Sequence, residues 1–141
     1  MIGLPEGYEL SFDRIDVGAT HAYLVRAYWS VGIPYDTVAR AVANSVCVAV
    51  WHEGAQVGFA RVVTDRATFA YLADVYVLEA HRGKGLARAL VAALHDHPDL
   101  QGLRRWMLAT LDAHPIYAAL GWTAVPDPSI MMQRHFPDVY A

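Results

Sequence analysis

The stretch Asp74-Val75-Tyr76-Val77-Leu78-Glu79-Ala80-His81-Arg82-Gly83-Lys84-Gly85-Leu86-Ala87 constrains this chain more than any other. It reads as a β-branched and aromatic strand that enters a glycine-rich loop, from which a helix leaves directly. Glycines let successive backbone amides turn toward one point and let a ligand approach with no side chain in the way. The helix start adds unsatisfied N–H groups and the positive end of its dipole, which together suit a phosphate or pyrophosphate. Arg82 and Lys84 add full positive charges beside it.

Counting excludes two nucleotide readings. A P-loop needs Gly-Lys followed by Ser or Thr, whereas Lys84 is followed by Gly85. The dinucleotide fingerprint needs a third glycine at position 88, which is Arg88 here. An ordinary strand-to-helix turn remains the bland alternative for the glycines alone.

The rest of the chain supplies a frame for this loop. Tyr8 to Arg14 reads as a first strand, and Asp16 caps a helix expected to run to about Trp29. Gly32-Ile33-Pro34 breaks that helix, and a second is expected from Tyr35 or Asp36 to Asn44. Val46 to His52 and Gln56 to Thr64 form a hairpin around Glu53-Gly54, followed by a third run from Thr68 to Leu78. Leu86, Leu90, Leu94 and Ala87, Val91 recur at helical spacing, so a helix runs from Leu86 to about Asp96. Arg105 to Ala109 is a short apolar run suited to a buried parallel strand. Asp112 is placed to cap a short helix to Leu120, where Gly121 supplies the stop, and Trp122–Val125 and Ile130–Arg134 are expected as two final strands. The unit from Tyr71 through the Leu86 helix to Trp106 is a strand–helix–strand crossover, which favours parallel pairing. A small α/β (α+β) fold follows: a mixed, mostly antiparallel sheet of about seven strands with helices on both faces.

Composition bounds the remaining choices. At 141 residues without repeat or linker, the chain reads as one domain over residues 1–141. Eleven cations against fourteen anions give a net charge of −3, so no global field exists to hold a nucleic acid. Ten of the cations are arginine; Lys84 is the only lysine. Cys47, in an apolar run, has no partner for a disulfide. Met1 to Gly7 has no basic-then-apolar pattern of a signal peptide, and no apolar run approaches a membrane span. The expectation is a cytoplasmic protein with no membrane and no nucleic-acid partner. His95-Asp96-His97 would diverge at a helix end and lacks further ligands, so no metal is expected.

A wider pattern adds function. Arg82-Gly83-Lys84-Gly85-Leu86-Ala87 resembles the Arg/Gln-x-x-Gly-x-Gly/Ala signature of the GNAT superfamily of N-acetyltransferases. Val75-Tyr76-Val77 resembles that family's fourth strand, and Ile116-Tyr117-Ala118-Ala119-Leu120-Gly121-Trp122 its Tyr-x-x-Leu-Gly-Phe segment, with Trp122 in place of Phe. The resemblance covers about Tyr8 to Arg134. It implies acetyl-CoA as acyl donor, with the amides from Arg82 through Gly83, Lys84, Gly85 and Leu86 to Ala87 on the pyrophosphate. It also implies a splay between the strand of Val75–Val77 and that of Trp106–Ala109, holding the pantetheine arm. A bulge there would leave a backbone N–H near Val75 or Val77 to polarise the thioester carbonyl. Arg88 is either a further phosphate contact or part of a solvated helix face.

The chemistry so implied is direct attack by a primary amine of a small molecule. The amine must shed a proton before its lone pair can react, and the departing thiolate needs one. Tyr117 matches the family's general acid; packing against the sheet is its structural alternative. Asp74 is a candidate base, or else an edge or turn carboxylate. Glu79 reads as solvated, and His114, near the start of the Tyr117 helix, is another candidate base or else a first-turn surface histidine. Many relatives carry Asn where this chain has Thr110, which leaves Thr110 or Asp112 to hold the CoA arm. Tyr28 and Trp29 lie in an aromatic segment that the resemblance places over the acceptor amine. Arg61, read on one strand face with Val57, Phe59 and Val63, needs a carboxylate: a substrate's, or Asp74. A silent acyl-CoA-binding module and a protein-lysine acetyltransferase are the other readings, and a homodimer through the final strand accords with family habit.

Overall fold

In the computed structural model, residues 3–141 are described; Met1 and Ile2, where the leader expectation begins, lie outside them. Five strands and four helices form, in the order β1 (Tyr8–Ser11), α1 (Val17–Leu24), α2 (Tyr35–Ala43), β2 (Val46–His52), β3 (Ala55–Thr64), β4 (Phe69–Val77), α3 (Leu86–His95), β5 (Arg105–Met107) and α4 (His114–Ala118). They build one sheet in the order β1-β2-β3-β4-β5. The first four strands pair antiparallel, and β4 pairs with β5 in parallel, as the crossover requires.

Local chemistry explains most boundaries. Asp16 accepts a hydrogen bond from Ala19 N at 2.9 Å and caps α1. Glu53 and Gly54, with φ of +50° and +79°, form the tight turn of the β2–β3 hairpin. On α3, Leu86, Leu90, Val91 and Leu94 are buried on the helix face that packs over β2, β3 and β4. Val48, Val50, Ala60, Val62, Ala70 and Leu72 meet them from the sheet. Fully burying each large aliphatic side chain stabilises the fold by about 1.5–3 kcal/mol. The opposite face carries Cys47, Phe59 and Tyr76 beneath Tyr23 and Val42 of α1 and α2.

Two register irregularities set side-chain direction. Arg61 pairs with Ala73 and Phe59 with Tyr76, so Asp74 and Val75 on β4 stand opposite Ala60 alone. That is a β-bulge, and Asp74 is its left-handed residue at φ +56°. The bulge reverses the alternation of β4: Leu72 below and Val77 above both reach the α3 side, while Tyr76 reaches the other. On β3, Val57 packs on the α3 side and Val63 is exposed, whereas Phe59 lies under α1 and α2. The simple strand face expected for Arg61 is therefore corrected.

Three expectations about extent are also corrected. The helix after Asp16 stops at Leu24 rather than Trp29, because Ser30 Oγ takes the Leu24 carbonyl at 2.7 Å and Gly32 N takes that of Val25 at 2.8 Å. β5 ends at Met107, two residues short of Ala109. Neither Trp122–Val125 nor Ile130–Arg134 forms a strand among the described residues, so the sheet has five strands rather than about seven. Pro126 and Pro128 interrupt that segment, which instead runs past a short turn at Pro128–Ile130. Its end is held elsewhere, where Tyr140 packs against Leu24, Ile33 and Val38.

Candidate active site

Strands β4 and β5 share only three residue pairs, ending at Tyr71 and Met107, and then part. Leu78 N donates to Val57 O of β3, so the pleat aims the backbone groups of Tyr76 at β3 and those of Val75 and Val77 into the gap. The gap continues as a cleft of about 890 Å³ bounded by Val75–Val77, the Arg82–Arg88 turn, the Tyr23–Trp29 segment and α4.

Gly83 and Gly85 form one end of this cleft. Both have positive φ, +78° and +76°, and a Cβ added at either would meet nothing within 4 Å. The glycines thus serve a backbone turn and leave open space above it. Gly85 caps α3 with no side-chain hydrogen bond, and the first intrahelical bond is Ala89 N to Gly85 O. The N–H groups of Leu86, Ala87 and Arg88 are left for a ligand. Arg26, Arg82 and Arg88 line the same cleft. Arg82 Nε is tied to Val77 O at 2.9 Å and its Nη2 reaches the Tyr23 hydroxyl at 3.3 Å. Tyr23 in turn stacks on Tyr76 with ring centroids 4.0 Å apart, and Arg26 lies over its outer side.

A second cleft, of about 530 Å³, opens on the other side of the splay between Tyr71–Val75 and Leu108–Ala113. Tyr28, Trp29 and Tyr117 border both clefts, as do Val75 and Asp112. Burial raises the Tyr117 hydroxyl above the ordinary tyrosine range, so at neutral pH it carries its proton. Trp29 is held by its indole N–H, which donates to Asp74 Oδ1 at 2.8 Å. The other carboxylate oxygen of Asp74 accepts from Arg61 Nε at 2.6 Å, and Arg61 Nη1 reaches Ser45 Oγ at 3.1 Å.

The profile of the acetyltransferase (GNAT) family matches residues 12–122, most of the chain and all of both clefts' walls. The chain belongs to the GNAT family. A candidate acetyltransferase of that family from Xanthomonas campestris pv. campestris, known from its crystal structure, is 46% identical over 99% of both chains with a TM-score of 0.92. A Gibberella zeae protein named as a candidate acetyltransferase is 34% identical over 60% of this chain, and the match spans 59% of that relative's length. A Clostridium acetobutylicum structure, described as a candidate acetyltransferase with acetyl-CoA, shares the fold at 15% identity, with 91% of this chain and 94% of that one covered and a TM-score of 0.67.

Against this GNAT frame the expected residues divide. Arg82, Gly83, Gly85, Leu86 and Ala87 line the larger cleft together with Val75, Val77, Asp112 and Tyr117. Lys84 does not: it is exposed between two glycines and lines neither cleft. Thr110 borders only the smaller cleft, where its Oγ1 accepts from Ala113 N and shapes the entry to α4. That also corrects Asp112 as the helix cap. Tyr28 and Trp29 border both clefts, but Arg61 lines neither, being spent on Asp74 and Ser45. Asp74 borders the smaller cleft, and each of its carboxylate oxygens accepts one hydrogen bond, Oδ1 from Trp29 and Oδ2 from Arg61.

Sequence reasoning missed Arg26, Tyr23, Tyr76, His81 and Ile116 on the cleft wall. Arg26 had no local signal, because only the early end of α1 turns it inward. Tyr76 was legible in principle from the bulge, which reverses its side. The histidines near α3's end are otherwise employed: His95 Nε2 accepts from the Trp122 indole at 3.1 Å, and His97 Nδ1 accepts from Asp99 N. Among the described residues no group of three metal-ligating side chains converges, and no helix is long and apolar enough to cross a membrane.

Proposed function

We propose that this chain transfers an acetyl group from acetyl-CoA to a primary amine of a small molecule. The observation that carries the reading is the parted β4–β5 edge, with a glycine and arginine anion cradle at one end and Tyr117 between two clefts at the other. The open space above Gly83 and Gly85, the uncapped start of α3 and three arginines suit a pyrophosphate. That the Clostridium relative is described with acetyl-CoA supports the same donor. A cytoplasmic setting suits that donor and the lone thiol of Cys47.

Acetyl-CoA supplies a thioester carbonyl open to nucleophilic attack. The backbone amide of Val75 or Val77, turned into the gap, donates to its oxygen as negative charge develops there. The acceptor nitrogen, freed of one proton to water at the open mouth, bonds to the carbonyl carbon while the carbon–sulfur bond breaks. Tyr117 gives its proton to the leaving sulfur, the acylated nitrogen loses its second proton to water to become the neutral amide, and Tyr117 regains a proton from solvent. Asp74 acts as a positioning residue that holds Trp29 and the bulge.

Incubation with acetyl-CoA and a panel of amines, with released thiol measured, tests the reading. Turnover that falls at least about a hundredfold in kcat in Tyr117→Phe, with acetyl-CoA affinity kept, supports it. Acetyl-CoA binding with no turnover across the panel sinks it in favour of a silent acyl-CoA-binding module. Turnover confined to lysine-containing peptides assigns a protein substrate instead.

A further inference from the structure

The two clefts differ in charge. Arg26, Arg82 and Arg88 all border the larger cleft, with the anion cradle. The smaller one has no lysine, arginine or histidine in its wall; its ionisable groups are Asp74, Asp112 and the tyrosines. The two carboxylates are not equivalent. Asp74 is neutralised by Arg61 at 2.6 Å and bound by Trp29, whereas Asp112 is exposed and has no salt bridge among the described residues. Tyr28, Trp29 and Tyr71 give the same cleft three aromatic walls that are themselves partly exposed.

Resting on the acetyltransferase reading above, we propose that the acceptor is a cationic amine with a flat apolar body and no carboxylate beside the nitrogen. Asp112 is the carboxylate that receives its ammonium group. Asp112 and Tyr117 border both clefts, so a nitrogen seated between them faces the donor side. The apolar body then lies toward Tyr28, Trp29 and Tyr71, whose ring faces attract both flat surfaces and cations. A volume of about 530 Å³ accommodates such a molecule. A carboxylate next to the nitrogen would sit beside Asp112 with no wall cation to meet it, a like-charge contact that selects against free amino acids. Arg61, the cation that sequence alone offers for such a carboxylate, is turned to Asp74.

Titration calorimetry on the CoA-loaded protein tests this without requiring turnover. Phenethylamine is compared with phenylalanine, tyramine with tyrosine, and 2-phenylethanol serves as the uncharged counterpart. Each amine is expected to bind at least about tenfold more tightly than its amino acid. Asp112→Asn is expected to weaken phenethylamine by about tenfold or more and to leave 2-phenylethanol within about twofold. Equal or tighter binding of the amino acids overturns the proposal, as does no binding of either amine. Equal weakening of amine and alcohol in Asp112→Asn also overturns it, because loss of shape rather than charge would be responsible. Selective amine binding with no thiol release would leave this inference standing and remove the transferase reading; turnover of amino acids alone would do the reverse.

Discussion

Replacing Asp74 removes three things at once, and a series of substitutions separates them. Its carboxylate accepts from the Arg61 guanidinium at 2.6 Å, with the two side chains only 19% and 11% exposed. A charge-assisted bond of this kind contributes about 1.5–3 kcal/mol when one partner is deleted. The Trp29 indole bond at 2.8 Å adds about 0.5–1.5 kcal/mol. The backbone at φ +56° disfavours a residue with a plain Cβ by about 1 kcal/mol relative to glycine. Asp74→Ala should therefore cost about 3–5.5 kcal/mol. Asp74→Gly relieves the backbone and should cost about 1 kcal/mol less, about 2–4.5 kcal/mol, by the same contributions. Asp74→Asn retains an acceptor for Trp29 and tolerance of the left-handed region, so about 1–2 kcal/mol is expected. Urea unfolding followed by tryptophan fluorescence measures each value, provided the slope m is unchanged across the series. The order Ala, Gly, Asn is the signature. A loss under about 1 kcal/mol in Asp74→Ala would refute the anchoring role, since the bonds to Arg61 and Trp29 would then be worth almost nothing. Equal losses for Ala and Gly would refute the strained bulge.

Other outcomes follow from the same geometry. Gly85→Ala should lower stability by only about 1 kcal/mol, since φ is +76° but a Cβ meets nothing, while calorimetry should show acetyl-CoA affinity falling at least about tenfold. Burial pushes the Cys47 thiol from its ordinary value of 9.0 up to about 11, so its contribution to stability is full below pH 9 and is lost as pH rises toward 11. Urea midpoints measured between pH 8 and 11 should fall less steeply in Cys47→Ala than in the wild type, and equal slopes would contradict the burial. The same thiol should resist iodoacetamide at pH 8 until the protein is unfolded. Among the described residues the outer edge of β5 has no partner strand, and Ile130, at the end of the Pro128–Ile130 turn, is exposed together with Met132 and Phe136 beyond it. Pairing of that edge with a second copy's segment predicts the mass of two chains by light scattering, reduced to one by Met132→Glu with Phe136→Glu.

The sequence by itself determined the features whose signals span a few residues. Gly83 and Gly85 before the apolar stripe of Leu86, Leu90 and Leu94 specify a turn into a helix, because positive φ and 3.6-residue spacing are local properties. Glu53-Gly54 between alternating strands specifies the hairpin in the same way. The short helix carrying Tyr117, and the order of elements up to that point, were equally legible by their pattern and its resemblance, although the helix ends at Ala118 rather than at Leu120 before Gly121. Tertiary structure alone decided what faces what. Trp29 meets Asp74 across 45 positions only because Ser30 and Gly32 end α1 early. Arg61 faces Asp74 rather than a substrate because a bulge at Asp74 and a second irregularity on β3 reset both strand faces. Among the described residues Asp112 has no salt bridge in the smaller cleft. The final segment, alternating enough to suggest strands, found no ladder on the three-residue edge of β5. A strand is completed by hydrogen bonds to a neighbour, so its own residues can propose it but only the partner edge can confirm it.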